Sequence, residues 1–210
     1  MKTKNKFFSV ILIAGMMSVL SAESTFAQYR RAGIKGGLNV SNLYIDDVSD
    51  ENARYGFNVG VYGQVLASEK AALQLELLYS TKGSRAFYDA FNEEVKYNLN
   101  YLDLPVLAVI KLGKSAEIHL GGYASYLLSA NISYSGDIVN GVDEIDKDNL
   151  KSFDYGLVGG VGFNFGPVQV GARYNYGLVK IADSDAAKTI LGDSKNSVAQ
   201  LYVSFNLANQ

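Results

Sequence analysis

A single histidine, His119, occurs in 210 residues that contain no cysteine, so nucleophilic or acid–base chemistry of the usual kind would have to be built around it. Strand parity puts His119 on one face with Tyr123, Ser125 and Leu127. Ser125 lies six residues along, which is ~20 Å at ~3.3 Å per residue, too far for a nucleophile–base hydrogen bond. The residue types support a histidine inside a polar network better than a catalytic one. Lys35, Gln64, Glu76 and Arg173 share that property: each sits on the polar face of an alternating segment, about three to six residues from one end. Charges brought together in an interior need partners, because an unpaired buried ion costs several kcal/mol. Glu76 is therefore expected to pair with Lys35 or Arg173, with Asp103 a further polar member of the network.

Other chemistry finds little footing. The run Asp143 to Asp148, "DEIDKD", has the acids of a calcium loop, but no frame supplies both the glycine at its sixth position and the glutamate at its twelfth. The glycines of "GLVGGVGFNFG" lie in an alternating segment with no helix after it, unlike a phosphate-binding loop. The absence of cysteine excludes disulfides and thiolate-held zinc or iron–sulfur centres. No cofactor, no metal site and no catalytic residue are expected, and a net charge of −2 gives no reason to expect a nucleic-acid partner.

The elements that must position these residues are strands. Residues 1–27 read as a signal peptide: Lys2, Lys4 and Lys6, an apolar run from Phe7 to Leu20, then small and polar residues ending at Ala27. Residues 28–210 are expected to form one domain, with no run of 18 apolar residues that could make a helical span. Period-2 alternation recurs instead. Ile34, Leu38 and Val40 oppose Lys35, Asn39 and Ser41, and Leu73, Leu75, Leu77 and Tyr79 oppose Gln74, Glu76 and Ser80. Similar segments cover Tyr55 to Leu66, Val95 to Leu112, Glu117 to Leu128, Ser152 to Phe165, Val168 to Leu178 and Val198 to Leu207, for about eight strands.

Short links at Ala67 to Ala71, Gly113 to Ala116 and Gly166-Pro167 alternate with long ones at Asn42 to Arg54, Gly83 to Glu94, Ala130 to Lys151 and Val179 to Ser197. Fifteen of the 21 acids fall in the long links. An even strand count with tight turns at one end and large loops at the other predicts an all-β, eight-stranded antiparallel transmembrane up-and-down barrel, with short periplasmic turns and long extracellular loops. A soluble lipocalin-like barrel would have the same strand count with its apolar face inward. Gly33, Gly37, Gly60, Gly156, Gly160, Gly162, Gly171 and Gly177 lie on the polar face, which suits a narrow lumen crowded with side chains. Tyr55, Tyr79, Tyr97, Tyr101 and Tyr176, near strand ends, are expected in an aromatic girdle.

Several stretches resemble the PorT-like outer-membrane β-barrel family of Bacteroidota: "AGIKGGLNVSNL" after a "FAQ" signal end, "YLDLPVLAVIKL", "GGYASYLLSA", "FDYGLVGGVGFNFGPVQVGARYNYGL" and the closing "LYVSFNL". The resemblance implies a porin-family small barrel in the outer membrane of a Gram-negative bacterium. It would be exported by a cleavable signal peptide, inserted by the barrel-insertion machinery and surrounded by outer-membrane lipid. It implies no catalytic motif. Such barrels usually stop at an aromatic residue, whereas here Phe205 precedes five further residues, leaving Phe205 or Leu207 as the end of the insertion signal.

In "YLDLPVLAVIKL" the outward parity runs Val95, Tyr97, Leu99, Tyr101 on entering the stretch, and Leu102, Leu104, Val106, Ala108 and Ile110 take over from there. A closed barrel has no edge strand to accept Pro105, so a β-bulge near Tyr101 to Pro105 is predicted, turning Asp103 into the lumen. The expected function is non-enzymatic: a structural or surface-interaction barrel whose acidic extracellular loops meet an extracellular partner, or a periplasmic one from the other side. The alternatives are a narrow channel for small solutes or ions and, more remotely, a lipid-modifying outer-membrane enzyme using His119.

Overall fold

A computed structural model of the chain describes residues 31–44, 53–88, 93–136, 141–144, 150–182 and 194–207. The expected signal peptide and most of the acids of the long loops lie outside the described residues. Nine strands follow one another: β1 (Ala32–Tyr44), β2 (Arg54–Val65), β3 (Ala71–Tyr88), β4 (Glu93–Leu112), β5 (Ala116–Gly136), β6 (Gly141–Glu144), β7 (Phe153–Phe165), β8 (Val168–Lys180) and β9 (Lys195–Asn206). All pair antiparallel. Eight of them run in the order β4-β3-β2-β1-β9-β8-β7-β5, and β4 pairs with β5 to close the ring. Among the described residues the short β6 pairs only with the far end of β5, along Asn131 to Tyr134. The fold is thus a closed, eight-stranded antiparallel barrel.

Alternation explains why it closes this way. Ile34, Leu38, Phe57, Val59, Leu104, Val106, Leu157, Val170, Leu201 and Val203 are exposed on the outside, while Lys35, Asn39, Asn58, Glu76, His119, Arg173 and Gln200 are buried within. A soluble barrel would reverse this polarity, so the exterior is built for lipid. Tight turns carry the backbone strain: Gly113 and Gly166 adopt φ of 68° and 61°, a region open to glycine at little cost, and Leu66 adopts 49°.

Inside, the expected glycines make room for large side chains. A Cβ at Gly171 would meet the Tyr202 ring, and one at Gly60 would meet the Leu77 carbonyl of the neighbouring strand. Both positions therefore need glycine for close approach rather than for its backbone freedom.

Three strands outgrow the rest. β3, β4 and β5 have 18, 20 and 21 residues against 12 or 13 for the other barrel strands, and their extra length lies at the long-loop end. Much of the expected links Gly83 to Glu94 and Ala130 to Lys151 is therefore strand, with Glu93 and Glu94 in β4 and Asp143 and Glu144 in β6. Polarity inverts along these extensions. On the outside, Asn98 and Asn100 donate to Ser133 and Ser129 at 2.8 Å each, and on the inside Leu99, Tyr101, Leu127, Ala130, Leu150 and Ile181 form a buried apolar cluster. This is the pattern of a sheet that has left the lipid and stands in water.

That inversion corrects two expectations. Tyr101 is fully buried at 0% exposure inside the barrel mouth, so it is not a girdle residue; Tyr55, Tyr79 and Tyr176 do face outward. The bulge expected near Tyr101 to Pro105 falls at the first residue of that span rather than at Asp103 and Pro105. β4 keeps one parity throughout, with Leu99, Tyr101, Asp103, Pro105, Leu107 and Val109 all inward. Asp103 and Pro105 pair in regular register with Ser125 and Tyr123. The register shift falls between Asn100 and Tyr101, where β5 rather than β4 carries the additional residue, Leu128. Pro105 is accommodated by a gap in the β3–β4 ladder between Leu75↔Val106 and Leu78↔Asp103, whose register is the same on both sides. Skipping a bond that proline cannot donate needs no inserted residue.

Candidate functional site

The lumen is stacked in layers that the strand register sets. Nearest the short turns, Glu117 accepts from Arg31 at 2.7 Å, from Asn164 at 3.1 Å and from Gln169 at 2.9 Å. Beside this layer Arg31, Gln64, Gln74 and Asn164 line a shallow polar recess.

The next layer holds most of the expected network. Arg173 forks onto Glu76 with both terminal nitrogens, Nη1 to Oε2 at 2.8 Å and Nη2 to Oε1 at 2.9 Å. Such a planar bidentate pair is among the stronger charge-assisted contacts. Lys35 adds a bond to the same carboxylate at 3.1 Å, and Gln74 donates to it at 2.6 Å while accepting from Gln64 at 3.0 Å. Glu76 thus pairs with both of its expected partners at once. Tyr202 closes the layer, its ring centroid 3.6 Å from the Lys35 nitrogen.

His119 joins the same layer. Its Nδ1 lies 3.2 Å from the Arg173 Nη2 donor and its Nε2 lies 3.3 Å from Glu117 Oε2. An arginine donates only, so Nδ1 is the acceptor and the ring hydrogen sits on Nε2, directed at Glu117. Its side-chain partners among the described residues are Glu117, Arg173 and Tyr202, which hold it in place. With 0% exposure, the ring has no face open to a substrate.

Asn39, Asn58, Ser80 and Gln200 form the middle layer, joined by bonds of 3.0 Å from Asn39 to Ser80, 2.6 Å from Asn58 to Asn39 and 3.1 Å from Gln200 to Asn39. Asp103 belongs to the layer above it rather than to the Glu76 group. It accepts from Lys82 at 2.8 Å and from Ser125, with Lys82 itself lying 4.8 and 4.9 Å from the Tyr101 and Tyr123 ring centroids. Asp154 accepts from Tyr123 at 3.0 Å and from Asn196 at 2.8 Å in the same region. The apolar cluster of Leu99, Tyr101, Leu127 and Ile181 then caps the lumen.

Lys82, Glu117, Asp154 and Tyr202 were not among the residues expected from sequence. Parity alone would have found the first two, since Lys82 follows Ser80 and Glu117 precedes His119 on the same faces. Tyr202 and Asp154 carry no sequence signal beyond alternation. Among the described residues, no group of three histidine, cysteine or acidic side chains is placed to hold a metal ion.

Strand number, outward apolar belt and polar filled lumen together define a small outer-membrane barrel. The chain belongs to the outer membrane protein beta-barrel domain family, which matches residues 23–183. It is therefore a protein of the outer membrane, and by the usual orientation of such barrels its short turns are periplasmic. No curated protein matches the sequence. Among solved structures, it is similar to the attachment invasion locus protein Ail of Yersinia pestis in complex with the heparin analogue sucrose octasulfate, at 15% identity and a TM-score of 0.49 over 85% of this chain and 99% of that one. Neisserial surface protein A shares 12% identity with a TM-score of 0.49 over 85% and 97% of the two chains. The outer membrane protein OprG of Pseudomonas aeruginosa shares 13%, with a TM-score of 0.38 over 84% and 91%. These likenesses concern fold alone.

Proposed function

We propose that this chain is a closed, non-enzymatic barrel that anchors a surface-exposed β-structure in the outer membrane. The observation that carries the reading is the filled lumen. Glu76, Lys35 and Arg173 are 2%, 3% and 4% exposed and tie three separate strands across the interior, and an apolar cap sits over them. Eight strands leave an interior just wide enough for side chains, and here the side chains occupy it. The extended β3, β4 and β5, with their polar outer faces, and the acid-rich loops beyond them are the parts offered to an external partner.

The resemblance noted in the sequence supports placing the chain with PorT-like barrels of Bacteroidota, exported through a signal peptide ending near Ala27 and inserted by the barrel-assembly machinery. The competing reading, a narrow solute or ion channel, draws on the polar lower lumen but requires the Glu76 layer and the cap both to open. Planar-bilayer recordings of the folded chain decide between them: the closed barrel gives no conductance steps, and steady single-channel conductance overturns it. An activity on outer-membrane lipid that is lost in His119→Ala would instead establish the enzyme reading.

A further inference from the structure

The outward face of β8 and β9 changes character at the long-loop end. Along β8 it presents Tyr174, Tyr176 and Leu178, all exposed, and then Lys180. Along β9 Leu201 and Ala199 give way to Ser197 and then Lys195, and along β1 Val40 gives way to Asn42. Ser197 and Asn42 are paired across the ladder, so the apolar belt ends at their level and the two lysines stand just above it.

Register brings the lysines together. Tyr176 pairs with Ser197 and Lys180 with Lys195, so β8 advances four residues while β9 advances two. Regular pairing would set Leu178 opposite Lys195; the bulge moves Lys180 there instead. Directly paired residues of an antiparallel ladder share a face with Cβ atoms about 4.5–5.5 Å apart, and like charges so placed repel. Neither β8 nor β9 contains an acidic residue, and Asp154, the single acid of β7, is buried in the lumen. Below the lysines, on the exposed side, the Tyr174 hydroxyl and Ser197 Oγ lie 2.6 Å apart. The face thus gathers two cations and two hydroxyl groups at the upper edge of the apolar belt.

We propose that Lys180 and Lys195, with the Ser197 hydroxyl, bind the phosphate of a phosphorylated saccharolipid in the outer leaflet. An anion seated between the two ammonium groups turns their repulsion into attraction, and a phosphate accepts from both and from the hydroxyl at once. The position selects a lipid headgroup over a soluble anion: acyl chains attached to a phosphate held there run down over exposed Tyr176 and Leu178 and past the small Ala199. The site concerns contact with the surrounding membrane and does not depend on whether the lumen is closed.

The test is thermal unfolding of the full chain folded in a maltoside detergent with a chelator present, read by the gel shift between folded and unfolded forms. The probes are diphosphorylated lipid A and the same lipid after dephosphorylation. The expected result is a higher midpoint with the phosphorylated lipid, a gain that shrinks as salt is raised and is lost when Lys180→Ser and Lys195→Ser are combined. Lys180→Arg with Lys195→Arg keeps the gain, as does Arg85→Ser with Lys96→Ser, which removes the directly paired outward cations of β3 and β4. Equal midpoints with the two lipids overturn the proposal, as does a gain that survives in the double serine variant. The same gain from inorganic phosphate assigns the lysines to a free anion, and a gain that appears only when magnesium replaces the chelator assigns it to the acidic loops; either result also overturns it. Should the double serine variant fail to fold, Lys195→Ser alone must reduce the gain, and a gain of wild-type size refutes the site.

Discussion

Replacing Glu76 with alanine is the most informative perturbation of the lumen. The carboxylate accepts two bonds from Arg173, at 2.8 and 2.9 Å, one from Lys35 at 3.1 Å and one from Gln74 at 2.6 Å. Its removal strands two cations that are 3% and 4% exposed and leaves them facing each other. Breaking a buried pair by deleting one partner costs ~3–5 kcal/mol, chiefly through the charge left behind. Two stranded cations push the expectation to the upper part of that range, while the Tyr202 ring, 3.6 Å from Lys35 Nζ, retains part of the stabilisation through a cation–π contact of ~0.5–2 kcal/mol. The net expectation is a loss of ~3–5 kcal/mol. Urea unfolding of the barrel in lipid vesicles, followed by the gel shift between folded and unfolded forms, measures it. The triple replacement Lys35→Met, Glu76→Met, Arg173→Met removes the charges together and should recover most of the loss, because no unpaired ion remains. A loss below ~1 kcal/mol in Glu76→Ala would refute the claim that this layer is a desolvated ionic plug.

Three further outcomes follow from the same structure. Val106→Arg, near the middle of the lipid-facing side of β4, should cost ~2–4 kcal/mol, whereas Asn100→Arg, where the outer face turns polar, should cost ~0–1, both read by urea unfolding in vesicles. Equal costs would move the lipid boundary. Gly60→Val should block assembly or cost ~1–3 kcal/mol, because its Cβ meets the Leu77 backbone carbonyl, and folding yield in vesicles checks it. Tyr101→Ala should cost ~3–5 kcal/mol by emptying the cap, and thermal unfolding of the folded barrel detects it; a near-neutral result would return Tyr101 to the lipid face.

Alternation made the barrel legible. Ile34, Leu38 and Val40 against Lys35 and Asn39, repeated across eight segments, carry strand identity, facing and closure, because lipid outside and a crowded polar lumen inside impose one rule on every residue. The Glu76 partners were legible for the same reason, since three charges at similar heights on inward faces have to meet. The rule fails where the strands leave the membrane. At Leu99 and Tyr101 the inside becomes apolar and the outside polar, so the reversal of pattern in β4 looked like a shifted face when it marks a change of solvent. Strand ends fail similarly: Gly83 to Tyr88 and Ala130 to Gly136 look like loop but pair as sheet. Pro105 points to a bulge on its own strand, yet the additional residue is Leu128 on the partner strand, and nothing in one strand's pattern reports its neighbour's length. Lys82 and Glu117 were within reach of parity, whereas the contacts of Tyr202 and Asp154 depend on which strands adjoin across the lumen.

The most direct measurement on the account as a whole is fractionation of cells expressing the full chain, followed by electrophoresis with and without boiling. A closed lipid-facing barrel predicts recovery with the outer membrane and a change in apparent mass on boiling. Recovery as a soluble periplasmic protein that migrates identically in both lanes would contradict it and favour an inward-facing apolar barrel instead.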